Sequence, residues 1–256
     1  MISEKKIKKY LLSKETEVRV YDLLDSTNAE AKRYAATAAD RHPVLFLARE
    51  QSAGRGRLGR SFLSRAGRGI YLSLLYFTDK ALSSAVSVTT AAAAVTACAV
   101  ERVTGERMRI KWVNDIYNGR GKVCGILVET MPVDGAVAVI VGIGINLGED
   151  DFPEELKGIA SSVNVPDGRE DEIVAEVCDR LLAHGENPSD RRYMEAYRAR
   201  FMLGGASVDL FRAGELAGRG TVVGVDDDGG LILLPDGEEK AIRVFSGEVT
   251  VRLSPK

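Results

Sequence analysis

Ten residues between two apolar runs decide how this chain folds: Gln51-Ser52-Ala53-Gly54-Arg55-Gly56-Arg57-Leu58-Gly59-Arg60. Their three glycines let the backbone take a positive φ angle and approach a ligand closely. Their three arginines place fixed positive charges within six residues. Backbone N–H groups and guanidinium groups together suit an anionic ligand, so the stretch predicts an anion-binding loop. The simplest alternative is a solvated basic turn.

The same stretch contains Gly-x-Gly-x-x-Gly from Gly54 to Gly59, a pattern typical of dinucleotide-binding folds when a helix begins inside it. Residues 44–48 predict a strand before the loop. Residues 61–69 are too rich in glycine for a helix, and the β-branched and aromatic run 70–77 predicts a second strand. The order is therefore strand–loop–strand, which argues against an NAD-dependent oxidoreductase.

The bulk composition sets limits on the kind of protein. The chain has 256 residues, a formal net charge of −2 and 45% hydrophobic residues. This balance argues against a nucleic-acid-coating surface. Three well-separated cysteines fit a reducing cytoplasm better than a disulfide framework. The charged start lacks the apolar stretch of a signal peptide, and the apolar run 91–100 predicts a buried helix instead of a membrane span.

A predicted helix lies before the loop, where Ser26-Thr27-Asn28 precede the alanine-rich residues 29–36. Thr27 and Glu30 have capping-box spacing, so these polar side chains could serve only to cap the helix. Three consecutive polar side chains exceed what one cap requires, however. Because a helix N-terminus also carries unpaired N–H donors, the sequence predicts that this end forms a wall for a polar ligand.

Beyond the loop, charged side chains bracket a predicted hairpin. A buried helix is expected over 83–103, and one strand over 109–117 contains Lys111 and Asp115. The turn 118–121 then leads to a strand over 122–129 that starts with Lys122. Surface charges beside a turn are the alternative interpretation. A further strand over 136–145 ends in small residues that leave room for a ligand, or mark a bend in the sheet.

The chain changes character near Gly204-Gly205. Before that point, 149–166 is a predicted loop, and 170–184 and 188–201 are predicted helices. After it, short strands are expected over 206–211, 216–225, 231–234, 241–245 and 248–253, which together predict a small β-barrel. The expected organisation is an N-terminal lead over 1–20, a catalytic domain over 21–203 and a C-terminal domain over 205–256.

Four segments, in this order and spacing, resemble the biotin–protein ligases (biotin–[acetyl-CoA-carboxylase] ligases): Ser26-Thr27-Asn28, Gly54-Arg55-Gly56-Arg57-Leu58-Gly59-Arg60, Lys111-Trp112-Val113-Asn114-Asp115, and Lys122-Val123-Cys124-Gly125-Ile126-Leu127-Val128-Glu129. The resemblance runs from about residue 20 to the C-terminus. Two positions depart from the family. Val113 stands where the family often has proline, and Phe62 stands where it often has tryptophan. Phe62 keeps a stacking face but lacks the indole donor.

The resemblance implies an α+β fold, in which a mixed β-sheet backed by helices is followed by an SH3-like barrel. It also implies a two-step reaction, in which biotin and MgATP give biotinyl-5′-AMP and a lysine of a biotin carboxyl carrier domain then attacks the adenylate. Arg57 and Lys122 are the expected catalytic cations, and Asp115 is the expected Mg²⁺ ligand. The residues expected to bind biotin are Ser26, Thr27, Asn28, Gln51, Arg55, Gly56, Arg57, Lys122 and Gly125. Those expected to bind ATP are Arg57, Phe62, Lys111, Trp112, Asn114, Asp115 and Asn146.

The resemblance also bears on the binding partners of the protein and on its alternative functions. Bifunctional members of the family carry an N-terminal winged-helix DNA-binding domain, which residues 1–20 are too short to hold. We therefore expect a monofunctional, cytoplasmic enzyme without DNA or membrane partners, and a homodimer remains open. A lipoate–protein ligase, which shares the adenylate chemistry, is the nearest alternative. A nucleic-acid-binding module that uses the arginine loop is an alternative of another class.

Overall fold

The computed structural model describes residues 2–79, 85–212, 214–245 and 250–253. In chain order, the elements are α1 (Glu4–Tyr10), β1 (Glu17–Leu24), α2 (Thr27–Thr37), β2 (Val44–Gln51), β3 (Gly69–Thr78), α3 (Ala85–Thr104), β4 (Arg109–Lys111), β5 (Asp115–Tyr117), β6 (Lys122–Val133), β7 (Ala136–Asn146), α4 (Glu170–Glu186), α5 (Tyr193–Arg200), β8 (Ser207–Arg212), β9 (Glu215–Val225), β10 (Leu231–Pro235), β11 (Ile242–Val244) and β12 (Thr250–Leu253).

Seven strands form one large sheet in the order β1-β2-β3-β7-β6-β5-β4. Strand β1 is parallel to β2, and the other neighbours pair in antiparallel fashion. The predicted mixed sheet is confirmed. Strand β1 of this sheet begins at Glu17, and α1 packs against α4. Residues before 21, expected as an N-terminal lead, therefore contribute to the sheet and to the helices around it.

Alternation along the strands buries both faces of the large sheet. On one face, Phe46 and Leu75 pack with Ala31 and Ala35 of α2. On the other face, their sequence neighbours, including Leu47 and Leu74, pack in the core that contains α3. Helix α3 is long and apolar enough to span a membrane by length and composition, but 72% of its apolar window is buried inside the protein. It is a core helix, as predicted.

The predicted single strand over 109–117 is wrong, because the chain folds back on itself there. Strands β4 and β5 pair in antiparallel fashion, with Lys111 opposite Asp115. The Asn114 side chain explains the break: its Nδ2 donates to the Ile126 carbonyl at 2.9 Å, and the Ile126 N–H donates to the Asn114 carbonyl at 3.1 Å. The hairpin places Lys111 and Asp115 side by side at its closed end.

The C-terminal part of the described chain forms a second sheet, with strand order β11-β10-β9-β8-β12 and antiparallel pairing throughout. The expected change to short strands after Gly204-Gly205 is therefore confirmed. The helix predicted over 188–201 is shorter than expected and starts at Tyr193. Residues 83 and 84 of the predicted α3, and residues 248 and 249 of the last predicted strand, lie outside the described residues.

Candidate active site

A cleft of about 190 Å³ opens beside the N-terminus of α2, over the ends of β6 and β7. Most of the predicted site residues line it, namely Ser26, Thr27, Asn28, Gln51, Arg55, Gly56, Arg57, Phe62, Lys111, Trp112, Asn114, Asp115, Lys122 and Gly125. These side chains come from four separate sequence segments. The fold thus brings the predicted biotin-binding and ATP-binding sets to one place.

The arginine loop is a narrow ribbon that projects from β2. The Phe62 N–H donates to the Gly54 carbonyl at 2.9 Å, and the Gly56 N–H donates to the Arg60 carbonyl at 2.7 Å. At its tip, Leu58 has a φ angle of 56° and is 72% exposed. A non-glycine residue in the left-handed region is uncommon and marks a tight, locally strained turn. The ribbon holds Arg57 on its cleft side and leaves the tip in solvent.

The cations at one end of the cleft have polar partners. Arg57 Nη1 donates to Asn114 Oδ1 at 3.2 Å. Burial lowers the pKa of the Arg57 guanidinium, nearby Asp115 opposes that change, and Arg60 adds to it. Because the usual arginine pKa is about 12.5, the group stays charged at neutral pH. This end of the cleft therefore presents a partly desolvated positive charge.

Lys122 and Asp115 form an ion pair at the same end, with Nζ 2.7 Å from Oδ1. The angles of this contact do not make a hydrogen bond, so Asp115 Oδ1 is buried without a hydrogen-bond donor among the described residues. The pair is a charge contact at the cation-lined end of the cleft. Lys111 lines the cleft beside it.

Hydroxyl and amide groups line the other end. Gln51 Oε1 accepts hydrogen bonds from the Thr27 N–H at 2.8 Å and the Thr27 hydroxyl at 3.2 Å. Gln51 Nε2 donates to Ser64 Oγ at 2.7 Å. The capping-box interpretation is wrong, because Ser26 is the N-cap, its side chain makes no capping bond, and Thr27 turns towards Gln51. The Ser26 side chain therefore does not cap the helix, and Gln51 Oε1 instead satisfies its first N–H, that of Thr27.

Two glycines of β7 make room for protein side chains, whereas their position at a strand end had indicated room for a ligand. A Cβ atom at Gly142 would lie 2.1 Å from Asn28 Oδ1, and one at Gly144 would lie 2.4 Å from the Phe62 ring. The Phe62 ring thus rests on Gly144 and its cross-strand neighbour Gly125. It also meets the Tyr71 ring edge-on, with ring centroids 6.4 Å apart. The aromatic residue of the loop therefore lies inside the cleft.

The structure and the sequence prediction differ at several positions. Asn146 is absent from the cleft lining, because its Nδ2 donates to the Ser161 carbonyl at 3.0 Å and it borders a smaller cavity of about 20 Å³. Val251 of β12 lines the cleft, which brings the second sheet to the site. Other lining residues had no assigned role. Leu58 and Arg60 belong to the arginine loop, Ile126 and Leu127 belong to the fourth family segment, and the rest are Ser61, Leu72, Gly142, Ile143 and Gly144. Among the rest, only the glycines at the end of the 136–145 strand carried a signal.

A larger recess of about 600 Å³ lies elsewhere, beside α4 and the far end of β3. None of the predicted site residues lines it. The described thiols also lie outside the main cleft, and burial raises the pKa of Cys98 and raises those of Cys124 and Cys178 further. Raised thiol pKa values disfavour the nucleophilic thiolate. The chemistry of the main cleft is therefore electrostatic and does not use a cysteine nucleophile.

The metal-binding capacity of the cleft is limited. Within residues 2–79, 85–212, 214–245 and 250–253, no group of three or more His, Cys, Asp or Glu side chains could hold a metal ion. Asp115 is the one carboxylate in the described lining of the cleft. Mg²⁺ commonly uses one or two carboxylates and completes its shell with substrate phosphates and water. The residues present therefore fit a Mg²⁺ ion that arrives with a nucleotide.

Sequence comparisons show which known proteins this chain is similar to. Residues 20–146 match the model of the biotin/lipoate A/B protein ligase family. The chain is 33% identical to the bifunctional ligase/repressor BirA of Bacillus subtilis, over 90% of this chain and 72% of that protein. It is 35% identical to the biotin–[acetyl-CoA-carboxylase] ligase of Paracoccus denitrificans, over 87% of this chain and 98% of that protein.

The chain belongs to the biotin/lipoate A/B protein ligase family. A structural comparison supports the same conclusion, because the biotin protein ligase from Aquifex aeolicus, solved in complex with biotin and ATP, superposes with a TM-score of 0.75. That alignment has 27% sequence identity and covers 93% of this chain and 99% of the other. The family resemblance drawn from the four sequence segments is confirmed.

Proposed function

We propose that this chain is an ATP-dependent biotin ligase, which activates biotin as biotinyl-5′-AMP and transfers the biotinyl group to a specific lysine of a biotin carboxyl carrier protein. One observation supports this most strongly: a single cleft has a hydroxyl- and amide-lined end and a cation-lined end. A cyclic urea fits the first, because it offers N–H donors and a carbonyl acceptor. A carboxylate and a triphosphate fit the second.

In the first step, a carboxylate oxygen of biotin attacks the α-phosphorus of ATP, and pyrophosphate leaves with the electron pair of the broken P–O bond. Both reactants are anions, so positive charge at the junction lowers the barrier. Arg57 and Lys122 supply it, while Arg55 and Gly56 shape the loop above. Lys122 is paired with Asp115 in this structure. When the substrates bind, we expect its ammonium group to turn from Asp115 towards the substrate anions.

In the second step, the neutral ε-amine of the carrier lysine attacks the carbonyl carbon of the mixed anhydride. AMP leaves with the bonding electrons, and the nitrogen loses a proton to solvent or to the departing phosphate. The protein needs no nucleophile of its own for this exchange. Its contribution is to hold the adenylate and to exclude competing water.

The two substrates occupy opposite ends of the cleft. Ser26, Thr27, Asn28 and Gln51 hold the head group of biotin, and Gly125 leaves space for its chain. The nucleotide lies against Lys111, Trp112 and Asn114, with Phe62 near the adenine. Asn146 lies outside the cleft lining in this structure, so its contact with the nucleotide requires movement of the neighbouring loop. Asp115 would hold a Mg²⁺ ion, whose charge would offset part of the negative charge of the nucleotide.

The remaining expectations concern the whole protein. We propose that the second sheet forms an SH3-like barrel over 205–256, next to a catalytic domain over 21–203. Three free cysteines support a reducing cytoplasmic location, and the net charge of −2 gives no support to DNA binding. A homodimer is a further proposal that ultracentrifugation with and without biotin and ATP would test.

Pyrophosphate exchange into ATP tests the proposed activity and its nearest alternative together. The chain is incubated with MgATP and labelled pyrophosphate, and separate reactions contain biotin, lipoate or no acid. We expect exchange with biotin and little with the other two. Exchange with lipoate alone would establish the lipoate–protein ligase alternative. No acid-dependent exchange at all would contradict both ligase assignments.

A further inference from the structure

A hydrogen-bonded chain runs beneath the polar end of the cleft and begins at Ser73. This residue is fully buried within the apolar strand β3. Its hydroxyl lies 2.7 Å from Thr27 Oγ1 and 2.5 Å from Asn28 Oδ1. A buried hydroxyl is costly unless it is hydrogen-bonded, and both of its partners here are side chains assigned to biotin. Ser73 itself does not line the cleft.

The orientation of the Asn28 amide is fixed by its surroundings. Its Nδ2 donates to the Glu129 carboxylate at 2.9 Å and to the Leu127 carbonyl at 3.3 Å. Neither acceptor can donate in return, so the nitrogen must face them and the oxygen must face Ser73. Gly142 gives the amide room, because a Cβ atom at that position would lie 2.1 Å from Oδ1.

Glu129 is the outer end of this chain. Its Oε1 accepts a hydrogen bond from Lys32 Nζ at 2.6 Å, and the two side chains are 26% and 37% exposed. Half-exposed ion pairs contribute little to stability. The contact matters here because it holds the carboxylate in place while its other oxygen, Oε2, accepts from Asn28.

The consequence is a fixed pattern of donors and acceptors at the cleft surface. The single Ser73 proton faces two acceptors, Thr27 Oγ1 and Asn28 Oδ1. The Thr27 proton goes to Gln51 Oε1. Thr27 therefore offers the cleft a lone pair, whereas Gln51 has one Nε2 hydrogen left after its bond to Ser64. An acceptor beside a donor matches the N–H and carbonyl groups of a cyclic urea.

We propose that Ser73 and Glu129 are positioning residues that fix the hydrogen-bonding pattern of the head-group pocket through Thr27 and Asn28. This inference rests on the proposed function, and it adds two residues that do not touch the substrate. Their loss changes biotin recognition and leaves the chemistry at Arg57 and Lys122 intact.

The first test compares Ser73→Ala with Thr96→Val in the full chain, using biotin-dependent pyrophosphate exchange. Thr96 is a fully buried residue on α3, away from the cleft, and serves as the control for the loss of a buried hydroxyl. We expect Ser73→Ala to raise the KM for biotin about tenfold, which corresponds to one hydrogen bond. Its kcat and its KM for ATP should stay within about twofold of the wild type.

A second pair of variants separates the hydrogen bond from the ion pair. Glu129→Gln keeps an acceptor for Asn28 and loses the charge that faces Lys32, whereas Glu129→Leu loses both. We expect Gln to retain a near-normal KM for biotin and Leu to raise it several-fold. Glu176→Leu, which breaks an ion pair of 2.7 Å with Arg102 away from the cleft, is the matched control.

The outcomes separate this inference from the proposed function. A folded Ser73→Ala variant with an unchanged KM for biotin would overturn the positioning role, and so would equal effects of Glu129→Gln and Glu129→Leu. A wild-type chain without biotin-dependent exchange would overturn the proposed function instead. If Ser73→Ala fails to fold while Thr96→Val folds, the Glu129 pair decides.

Discussion

At the residue scale, Lys122 is the side chain on which the proposed chemistry depends most. It is the first residue of β6 and lies in the cleft beside Asp115. A lysine ammonium at this point can pair with the resting carboxylate or with substrate anions. Because one anionic partner replaces the other, the partly buried ammonium group of Lys122 is not left without a counter-charge.

Lys122→Met keeps the length of the side chain and removes its charge. We expect adenylate formation to fall by about 10²- to 10³-fold, the usual effect of losing one electrostatic contact to a transition state. Biotin-dependent pyrophosphate exchange is the measurement. Lys157→Met, at an exposed lysine paired with Glu154 in a surface turn, is the control. Near-normal exchange in a folded Lys122→Met variant would remove Lys122 from the mechanism.

The sequence predicted many of the residues that line the cleft, but it did not predict a role for Ser73 and Glu129, which lie behind them. Ser26, Thr27 and Gln51 stand in local patterns that indicate function. Ser73 lies in an apolar strand and looks like part of the core, and Glu129 looks like a strand-end charge. Their role depends on contacts across 45 and 101 positions of sequence with Asn28. No local pattern carries such information.

At the element scale, the arginine loop is a ribbon whose tip, Leu58, is largely exposed at the edge of the cleft, while Arg57 lies on the cleft side. We expect ligand binding that engages Arg57 to favour one position of the loop, so that occupancy and order are coupled. A reactive acyl-adenylate needs this retention, because water or any nearby amine would otherwise consume it.

Arg57→Gly should release the adenylate prematurely. A hydrogen bond to a charged group contributes about 1.5–3 kcal/mol, so affinity should fall by about 10- to 150-fold for each bond lost, mostly through a faster off-rate. The variant is mixed with biotin, MgATP and serum albumin, and the albumin is blotted for biotin. Arg68→Gly, at an exposed arginine outside the main cleft, is the control. If the variant makes adenylate and albumin stays unlabelled, Arg57 does not retain the intermediate.

The glycines of β7 are a second element-scale feature. Gly142→Ala would place a methyl group 2.1 Å from Asn28 Oδ1 and displace the amide. We expect the KM for biotin to rise at least tenfold, because the head-group pocket loses its arrangement. Gly218→Ala on β9 adds the same methyl group into open space and should leave the KM unchanged. Direct titration of biotin by calorimetry checks both, and equal affinities would contradict the assigned pocket.

The division of residues 109–117 shows where element prediction stops. The run has enough apolar and β-branched residues for one strand, and only the antiparallel pairing of β4 with β5 reveals the turn. Asn114 supports that turn by bonding to Ile126, a residue on another strand. The ends of β4 and β5 thus depend on a contact with another strand, which the local sequence does not specify.

At the scale of the whole molecule, a turn of the second sheet contacts the cleft residue Trp112, in addition to the contact that Val251 makes with the cleft. The indole Nε1 of Trp112 donates to the buried carbonyl of Gly229 at 2.9 Å. In the same turn, Asp227 pairs with Arg198 of α5, and Asp228 lies 3.2 Å from Arg191. This acidic turn therefore attaches the second sheet beside Trp112, which we propose to bind the nucleotide.

Trp112→Phe removes the indole donor and leaves the Gly229 carbonyl unpaired. This should cost about 1–3 kcal/mol and lower the melting temperature by roughly 2–12 °C. Because Trp112 lies at the nucleotide end, the KM for ATP should rise several-fold while the KM for biotin stays unchanged. Tyr34→Phe, which loses a partly buried hydroxyl beside His42, is the control. Equal changes in both KM values would contradict the assigned geometry.

Transfer of biotin to a carrier domain tests the central claim most directly. The full chain is incubated with biotin, MgATP and a purified biotin carboxyl carrier domain, and the intact mass of the carrier is measured. The carrier should gain one biotinyl group, and a carrier whose acceptor lysine is replaced by arginine should gain none. An unchanged carrier mass, under conditions in which the chain is folded and binds biotin, would contradict the assignment as a biotin ligase.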